Sequence, residues 1–217
     1  MGTGNDGTTT PIGGMTRENW GNDKWVGGVL LEEVLLKYLP QAQFVLELGS
    51  GWTTIVLSRE VARRSFIQGA NLEVAALEHM PEWFDKVIQQ ALYVNVIHSP
   101  LTYYAPEHDG AGYEWYAVFP VGPYDLLLVD GPPRSSLGGR YGALPVLANH
   151  LLPGCIIILD DATPETAIVK GWMHEFGCKI VEYRHGPLSE HGENVLVLEY
   201  PGPGQVEEVR GGKETNV

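Results

Sequence analysis

The sequence predicts an α/β fold: a single domain with a doubly wound, mostly parallel seven-stranded sheet, an antiparallel last strand and helices on both faces. Short apolar runs without alternation at 43–48, 124–130 and 155–160 predict strands that are buried on both faces. Helical patterns lie between most successive runs, which is typical of parallel crossovers. No helical pattern separates the last two runs, 179–185 and 194–200, and so short a connection requires that these strands be antiparallel.

The order of the elements follows from local patterns along the chain. Apolar residues at helical spacing predict the first helix at 26–39, and Pro40 ends it. Two aromatic stretches flank "HDGAG" within residues 101–123, and this arrangement predicts a β-hairpin. The remaining helices are predicted at 53–64, 81–92, 141–152 and 163–176, and the remaining strands at 72–78 and 94–98.

Length and composition limit the domain organisation. A chain of 217 residues can form one well-buried core and is short for two. Residues 1–16 and 203–217 are rich in glycine, proline and polar residues. We therefore expect one folded domain at 17–202 between two flexible tails.

Charge and hydropathy indicate which partners to expect. The net charge of −13, from 14 Lys+Arg and 27 Asp+Glu, argues against nucleic acid as a partner. No apolar run approaches the ~20 residues that span a bilayer, so we expect no membrane partner. The N-terminus lacks the features of a signal peptide, and Cys155 and Cys178 are interpreted as free thiols. These observations predict a cytoplasmic protein, and they leave a homodimer open.

The carboxyl ends of the predicted parallel strands define the candidate site, because ligands bind at that edge of such sheets. Four of the six predicted strand ends carry an acid, which favours a cation or a hydroxyl-rich ligand over a diphosphate. The ends are Glu47, Glu78, His98, Asp130, Asp160 and Arg184/His185.

A glycine-rich turn, "LELGSGWTT", follows the first of these strands. Gly49 and Gly51 allow a close approach of the backbone to a ligand, and the helix that follows offers free N–H groups to an anion. A dinucleotide-binding turn requires a third small residue, which is missing here. The pattern therefore favours a ligand other than a dinucleotide pyrophosphate, and an NAD-linked enzyme is kept as the alternative.

The chain resembles class I S-adenosylmethionine-dependent methyltransferases, whose fold is Rossmann-like. The resemblance lies in this glycine-rich motif and in the order in which the family's motifs follow one another along roughly residues 43–200. The resemblance implies that Gly49, Ser50 and Gly51 approach the methionine and ribose parts of S-adenosyl-L-methionine. It further implies that Thr53 meets the methionine carboxylate and that Glu78 binds the ribose hydroxyls. The full cofactor set predicted in this way is Glu47, Gly49, Ser50, Gly51, Thr53, Glu78, His79, Pro100, Leu101 and Asp130.

Three further acids, Asp130, Asp160 and Asp161, follow two strands that are expected to be neighbours. Converging carboxylates call for a counter-charge, and oxygen ligands favour Mg²⁺ or another divalent cation. The pattern resembles metal-dependent small-molecule O-methyltransferases such as the catechol and caffeoyl-CoA enzymes, which implies a metal-activated hydroxyl on a small-molecule acceptor. One departure is that "DGPPRSS" offers Arg134 where catechol-type enzymes have a lysine.

The candidates for catalysis are Asp130, His185 and His191, and the two histidines lie in or next to the loop between the last two strands. Histidine titrates near neutrality and can accept a proton at working pH. Two alternatives to the metal-assisted enzyme therefore stay open. One is a metal-independent methyltransferase that uses a loop histidine as its base, and the other is a protein that binds S-adenosylmethionine without catalysis.

Overall fold

The computed structural model describes residues 28–105, 112–186 and 194–203. Most of the two predicted tails lies outside these ranges. The helices are α1 (Val29–Tyr38), α2 (Trp52–Arg63), α3 (Pro81–Ile88), α4 (Ala143–Leu147) and α5 (Thr166–Phe176). The strands are β1 (Phe44–Leu48), β2 (Glu73–Glu78), β3 (Asn95–His98), β4 (Leu101–Tyr104), β5 (Tyr113–Tyr116), β6 (Tyr124–Val129), β7 (Leu151–Asp160), β8 (Lys179–His185) and β9 (Asn194–Tyr200).

Seven of the strands form one sheet in the order β3-β2-β1-β6-β7-β9-β8. The strands β3, β2, β1, β6 and β7 pair in parallel, whereas β9 is antiparallel to both of its neighbours. This confirms the predicted sheet and its antiparallel last strand. The strands β4 and β5 pair only with each other, as the predicted hairpin requires.

The sheet is buried on both faces, as continuous apolar strands require. Leu46 and Leu127 pack on one face, in a core shared with α4, α5 and β5. Their chain neighbours Val45 and Leu126 pack on the other face, in a core shared with α1 and α2. The helices therefore cover both faces, and the carboxyl ends of the strands are left as the edge where a ligand can bind.

The helix predicted at 141–152 is shorter in the structure. The helix α4 is followed by a 3₁₀ turn at Ala148–His150, and β7 already begins at Leu151. Leu151 pairs with Tyr124 across an irregular step in the register of β6 and β7. Pairing in the sheet therefore outweighs the helical pattern of this segment.

Among the described residues, no helix is both long enough and apolar enough to cross a membrane. Cys155 and Cys178 are free and buried.

Candidate active site

The glycine turn brings the ends of β1 and β6 together. Gly49 has a φ of +85°, and a Cβ on it would lie 3.0 Å from the carbonyl carbon of Asp130 and 3.0 Å from the nitrogen of Gly131. The N–H of Asp130 donates to the Leu48 carbonyl at 2.9 Å. A residue with a side chain would separate these two strand ends, so the turn requires glycine at this position.

Glu78 ends β2 and is bound to the same turn. Its Oε2 accepts from both the N–H and the hydroxyl of Ser50, each at 3.0 Å, and its Oε1 accepts from the Met80 N–H at 2.8 Å. His79 Nδ1 lies 3.2 Å from the same Oε1. Burial raises the pKa of Glu78, but the contacts of His79, Met80 and Ser50 outweigh burial and leave that pKa below its usual value. The structure thus holds an ionised carboxylate beside the glycine turn.

Glu47 lies behind the turn and is fully buried. Its two oxygens accept from the hydroxyls of Thr53 and Thr54, and Thr54 Oγ1 in turn accepts from the Gly51 N–H at 2.8 Å. Burial raises the pKa of Glu47 to about 8, although both threonine hydrogen bonds lower it. Glu47 therefore fixes the start of α2 against β1. The Thr53 hydroxyl was predicted to contact the methionine carboxylate. In the structure it donates a hydrogen bond to Glu47 instead.

Asp130 and Asp160 meet at the ends of β6 and β7, and Arg140 bridges them. One guanidinium nitrogen of Arg140 lies 2.9 Å from the Asp130 carbonyl oxygen and 3.2 Å from Asp130 Oδ1, and the other donates to the Asp160 carbonyl. Burial raises the pKa of Asp130 to about 6, against the lowering effect of Arg140. Burial and the charges of Asp130 and Asp161 raise the pKa of Asp160.

This arrangement does not support the predicted metal site at Asp130, Asp160 and Asp161. The counter-charge that the carboxylates need is supplied by the buried guanidinium of Arg140, and a divalent ion on the same oxygens would lie beside that positive charge. Asp161 has a separate cation nearby, since its Oδ2 lies 3.6 Å from Nη2 of Arg134. No group of three or more His, Cys, Asp or Glu side chains suited to a metal is found in the described part of the chain.

One of the two predicted histidine bases, His185, is not brought to the carboxylates. His185 lies at the end of the edge strand β8, is exposed, and has its Nδ1 2.7 Å from the Gly186 carbonyl. The strand β9 lies between β8 and β7, which puts His185 about 10 Å from Asp160 by the usual spacing of strands. His191 lies outside the described residues.

The segment after β3 anchors the hairpin beside the site. The carbonyl of Pro100 accepts from the Ala117 N–H at 2.9 Å, and the Ser99 hydroxyl bonds to both backbone groups of Val118. Leu101 is half-buried and packs against the core. Pro100 thus follows Ser99, which is bonded to the end of β2, and its carbonyl is bonded to the residue after β5. Leu101 is the first residue of the hairpin.

Two polar side chains at this edge were not identified from the sequence. One is Arg140, which lies in an irregular loop ten positions after Asp130. The other is Tyr116 of the hairpin, whose hydroxyl is buried and has no hydrogen-bond partner within the described ranges. The aromatic stretches of segment 101–123 predicted the hairpin that carries Tyr116, but not that its hydroxyl lies at this edge.

Comparison with known proteins finds no matching family model and no matching curated protein. Solved structures do match. A methyltransferase from Pyrococcus furiosus has a TM-score of 0.51 and 17% identity, over 80% of this chain and 82% of that one. The M1A22 tRNA methyltransferase TrmK from B. subtilis has a TM-score of 0.54 and 13% identity, over 82% and 68%. A protein assigned as a class I S-adenosylmethionine-dependent methyltransferase from Listeria monocytogenes has a TM-score of 0.53 and 13% identity, over 81% and 59%.

These matches correct the prediction that nucleic acid is excluded as a partner. One protein with this fold is a tRNA methyltransferase, so the fold does not exclude that acceptor class. The net charge describes the whole chain, whereas an acceptor meets only the local surface around the site. The sheet order, the glycine turn and the structural matches together show that this chain has the fold of the class I S-adenosylmethionine-dependent methyltransferases.

Proposed function

We propose that this protein is a methyltransferase that uses S-adenosyl-L-methionine. The observation that carries the proposal is the contact between Glu78 and the Ser50 backbone beside Gly49, since this unit joins an ionised acid to a turn with glycine on both sides of Ser50. Such a unit suits a ligand that has a ribose at one end and a charged amino acid at the other. In this site Glu78 would bind the ribose hydroxyls, and the first N–H groups of α2 would attract the carboxylate.

When bound, S-adenosylmethionine supplies a methyl group on a sulfonium, and transfer breaks that S–C bond as the acceptor nucleophile bonds to the methyl carbon. Asp130, at the end of β6, is placed to accept the proton that an acceptor O–H or N–H loses. Its side chain is partly exposed at the edge and is held by Arg140. We therefore propose a transfer in which the acids need no metal, with Arg140 as the positioning residue.

The acceptor would approach over the carboxyl edge, between the hairpin and the loop that carries Arg140. Because one structural neighbour acts on tRNA, nucleic acid belongs among the acceptor classes to be tested together with small molecules. Transfer of a radiolabelled methyl group from S-adenosylmethionine into fractionated tRNA, protein and small-molecule pools would identify the class directly.

The donor half of the proposal is tested by calorimetry with S-adenosylhomocysteine and, separately, with NAD. Glu78→Ala should weaken binding of S-adenosylhomocysteine by about 1.5–3 kcal/mol, as for hydrogen bonds to a charged group. The matched control is Glu73→Ala, which removes an exposed acid at the opposite end of the same strand and should leave binding unchanged. Binding of NAD but not of S-adenosylhomocysteine to the unaltered protein would reject the proposal.

A further inference from the structure

The hydroxyl of Tyr116 is an unexplained polar group in the middle of the candidate site. Tyr116 ends β5 and is fully buried, and its hydroxyl has no hydrogen-bond partner among the described residues. Tyr104, on the neighbouring strand, differs in this respect, because its hydroxyl donates to the Tyr116 carbonyl at 3.3 Å. A buried hydroxyl without a partner is costly in a folded protein, so its retention calls for an explanation.

The position of this hydroxyl is fixed by two glycines. A Cβ on Gly131 would overlap the Tyr116 hydroxyl, and the same Cβ would lie 2.9 Å from the Cα of Gly49. The hydroxyl therefore lies where the glycine turn meets the end of β6. Burial raises the pKa of Tyr116 well above its usual value, and the nearby carboxylates of Glu78 and Asp130 raise it further. The phenol consequently keeps its proton and is available as a hydrogen-bond donor.

We propose that Tyr116 donates its hydroxyl to bound S-adenosylmethionine at the amino-acid end of the cofactor, which makes the β4–β5 hairpin part of the cofactor site. This inference rests on the function proposed above. The amino-acid end is assigned because the Gly49 turn leads directly into α2, where free N–H groups favour a carboxylate. The hydroxyl of Tyr116 lies against the same turn, since a Cβ on Gly131 would meet both this hydroxyl and the backbone of Gly49.

The hairpin is hydrogen-bonded to the loop that follows β6, the same loop that contains Gly131. Glu114 of β5 exchanges two hydrogen bonds with Leu137, one at 2.8 Å from its N–H and one at 2.9 Å to its carboxylate. Because solvent does not reach the Tyr116 hydroxyl, a ligand contacts it only when the hairpin and Gly131 shift slightly apart. Binding then gives the hydroxyl its missing partner and orders the hairpin.

The test is Tyr116→Phe, which removes only the hydroxyl. Two effects of opposite sign are expected. Without ligand, the melting temperature should rise by a few degrees, because an unpaired buried group is removed. The Kd for S-adenosylhomocysteine should increase about tenfold, the cost of one hydrogen bond. The control Tyr104→Phe removes a hydroxyl that is already bonded within the hairpin, so it should lower the melting temperature slightly and leave the Kd unchanged.

A second ligand separates the two ends of the cofactor. 5′-Methylthioadenosine lacks the amino-acid end, so its Kd should be the same for the unaltered protein and for Tyr116→Phe. An equal loss with both ligands, or an unchanged Kd for S-adenosylhomocysteine, would overturn the inference. Failure of the unaltered protein to bind S-adenosylhomocysteine would instead reject the proposed function.

Hydrogen exchange gives a measurement that does not depend on the variant being folded. In the unaltered protein, S-adenosylhomocysteine should slow amide exchange in Leu101–Tyr104 and Tyr113–Tyr116. The exposed edge strand Lys179–His185 is the internal reference, and its exchange should not change. Unchanged exchange in the hairpin at saturating ligand would contradict the coupling.

Discussion

Replacing Glu47 with glutamine should remove a large part of the pH dependence of this protein's stability. The carboxyl group of Glu47 is 0% exposed, and its only hydrogen bonds in the described structure come from the hydroxyls of Thr53 and Thr54. Burial raises its pKa from the usual 4.5 to about 8. Glutamine has nearly the same shape, can accept from one threonine and donate to the other, and carries no charge at any pH.

The sign follows from the direction of the shift. The folded protein keeps a proton on Glu47 that the unfolded chain loses above about pH 4.5, so this group lowers the free energy of unfolding as the pH rises toward 8. Above about pH 8 both states are ionised and the loss is complete. Between about pH 5.5 and about pH 7.5 the expected loss is on the order of 2.5 kcal/mol, from 1.36 kcal/mol for each unit of pKa difference between the two states.

Urea denaturation across this pH range measures the effect. Because other groups titrate as well, the informative quantity is the free energy of unfolding of Glu47→Gln minus that of the unaltered protein. This difference should increase as the pH rises toward 8. Glu73→Gln, at the exposed start of β2, is the control and should follow the unaltered protein. Parallel curves for the unaltered protein and Glu47→Gln would refute the argument that Glu47 is protonated in the folded state at neutral pH.

Two further substitutions test the geometry of the site. Gly49→Ala should lower the free energy of unfolding by about 2–4 kcal/mol, because it combines a positive φ with a clash against backbone. Gly154→Ala, with a φ of +82° and no atom within 4 Å, should lose only about 1–2 kcal/mol, and equal losses in urea denaturation would contradict the clash. Arg140→Met should cost about 2–3 kcal/mol, because it removes the donor to the Asp130 and Asp160 carbonyls and the partner of the partly exposed Asp130 carboxylate. Arg134→Met, half-exposed and 3.6 Å from Asp161, should cost less than about 1 kcal/mol in the same assay. A small effect of Arg140→Met would show that Arg140 is not the counter-charge.

The fold could be predicted from the sequence because its signals are local. The apolar strands at 43–48 and 124–130 and the helices between them are each defined by residues that are adjacent in the chain. The turn at Gly49 was also predicted from a short motif, although its contact with Asp130 and Gly131 joins residues that are far apart in the sequence. The start of β7 was misplaced because it depends on the pairing of Leu151 with Tyr124, residues that are far apart in the sequence.

The candidate site was predicted less completely, since its contacts join separate elements. Glu78 and Asp130 could be predicted because they end strands, and all strands of a parallel sheet end at the same edge. A sequence pattern does not show whether a hydroxyl already has a hydrogen-bond partner within the protein. Thr53 was predicted to contact the cofactor, but its hydroxyl donates to Glu47. The aromatic pattern predicted the hairpin that contains Tyr116, but not that the Tyr116 hydroxyl has no hydrogen-bond partner among the described residues.

The converging acids were predicted to need a counter-charge, and the structure offers a partner that the sequence did not indicate. Carboxylates at the ends of β6 and β7 do need a positive charge, because like charges so close raise each other's pKa. A metal ion was the candidate because converging carboxylate oxygens are ligands that divalent cations favour. The structure supplies Arg140 from the loop after β6, and it binds the backbone carbonyls of Asp130 and Asp160 as well as a carboxylate. A guanidinium fixed in this way holds both strand ends together without any ligand. It follows that loss of Arg140 should disturb the end of β6, and with it the Gly49 turn, before any acceptor is bound.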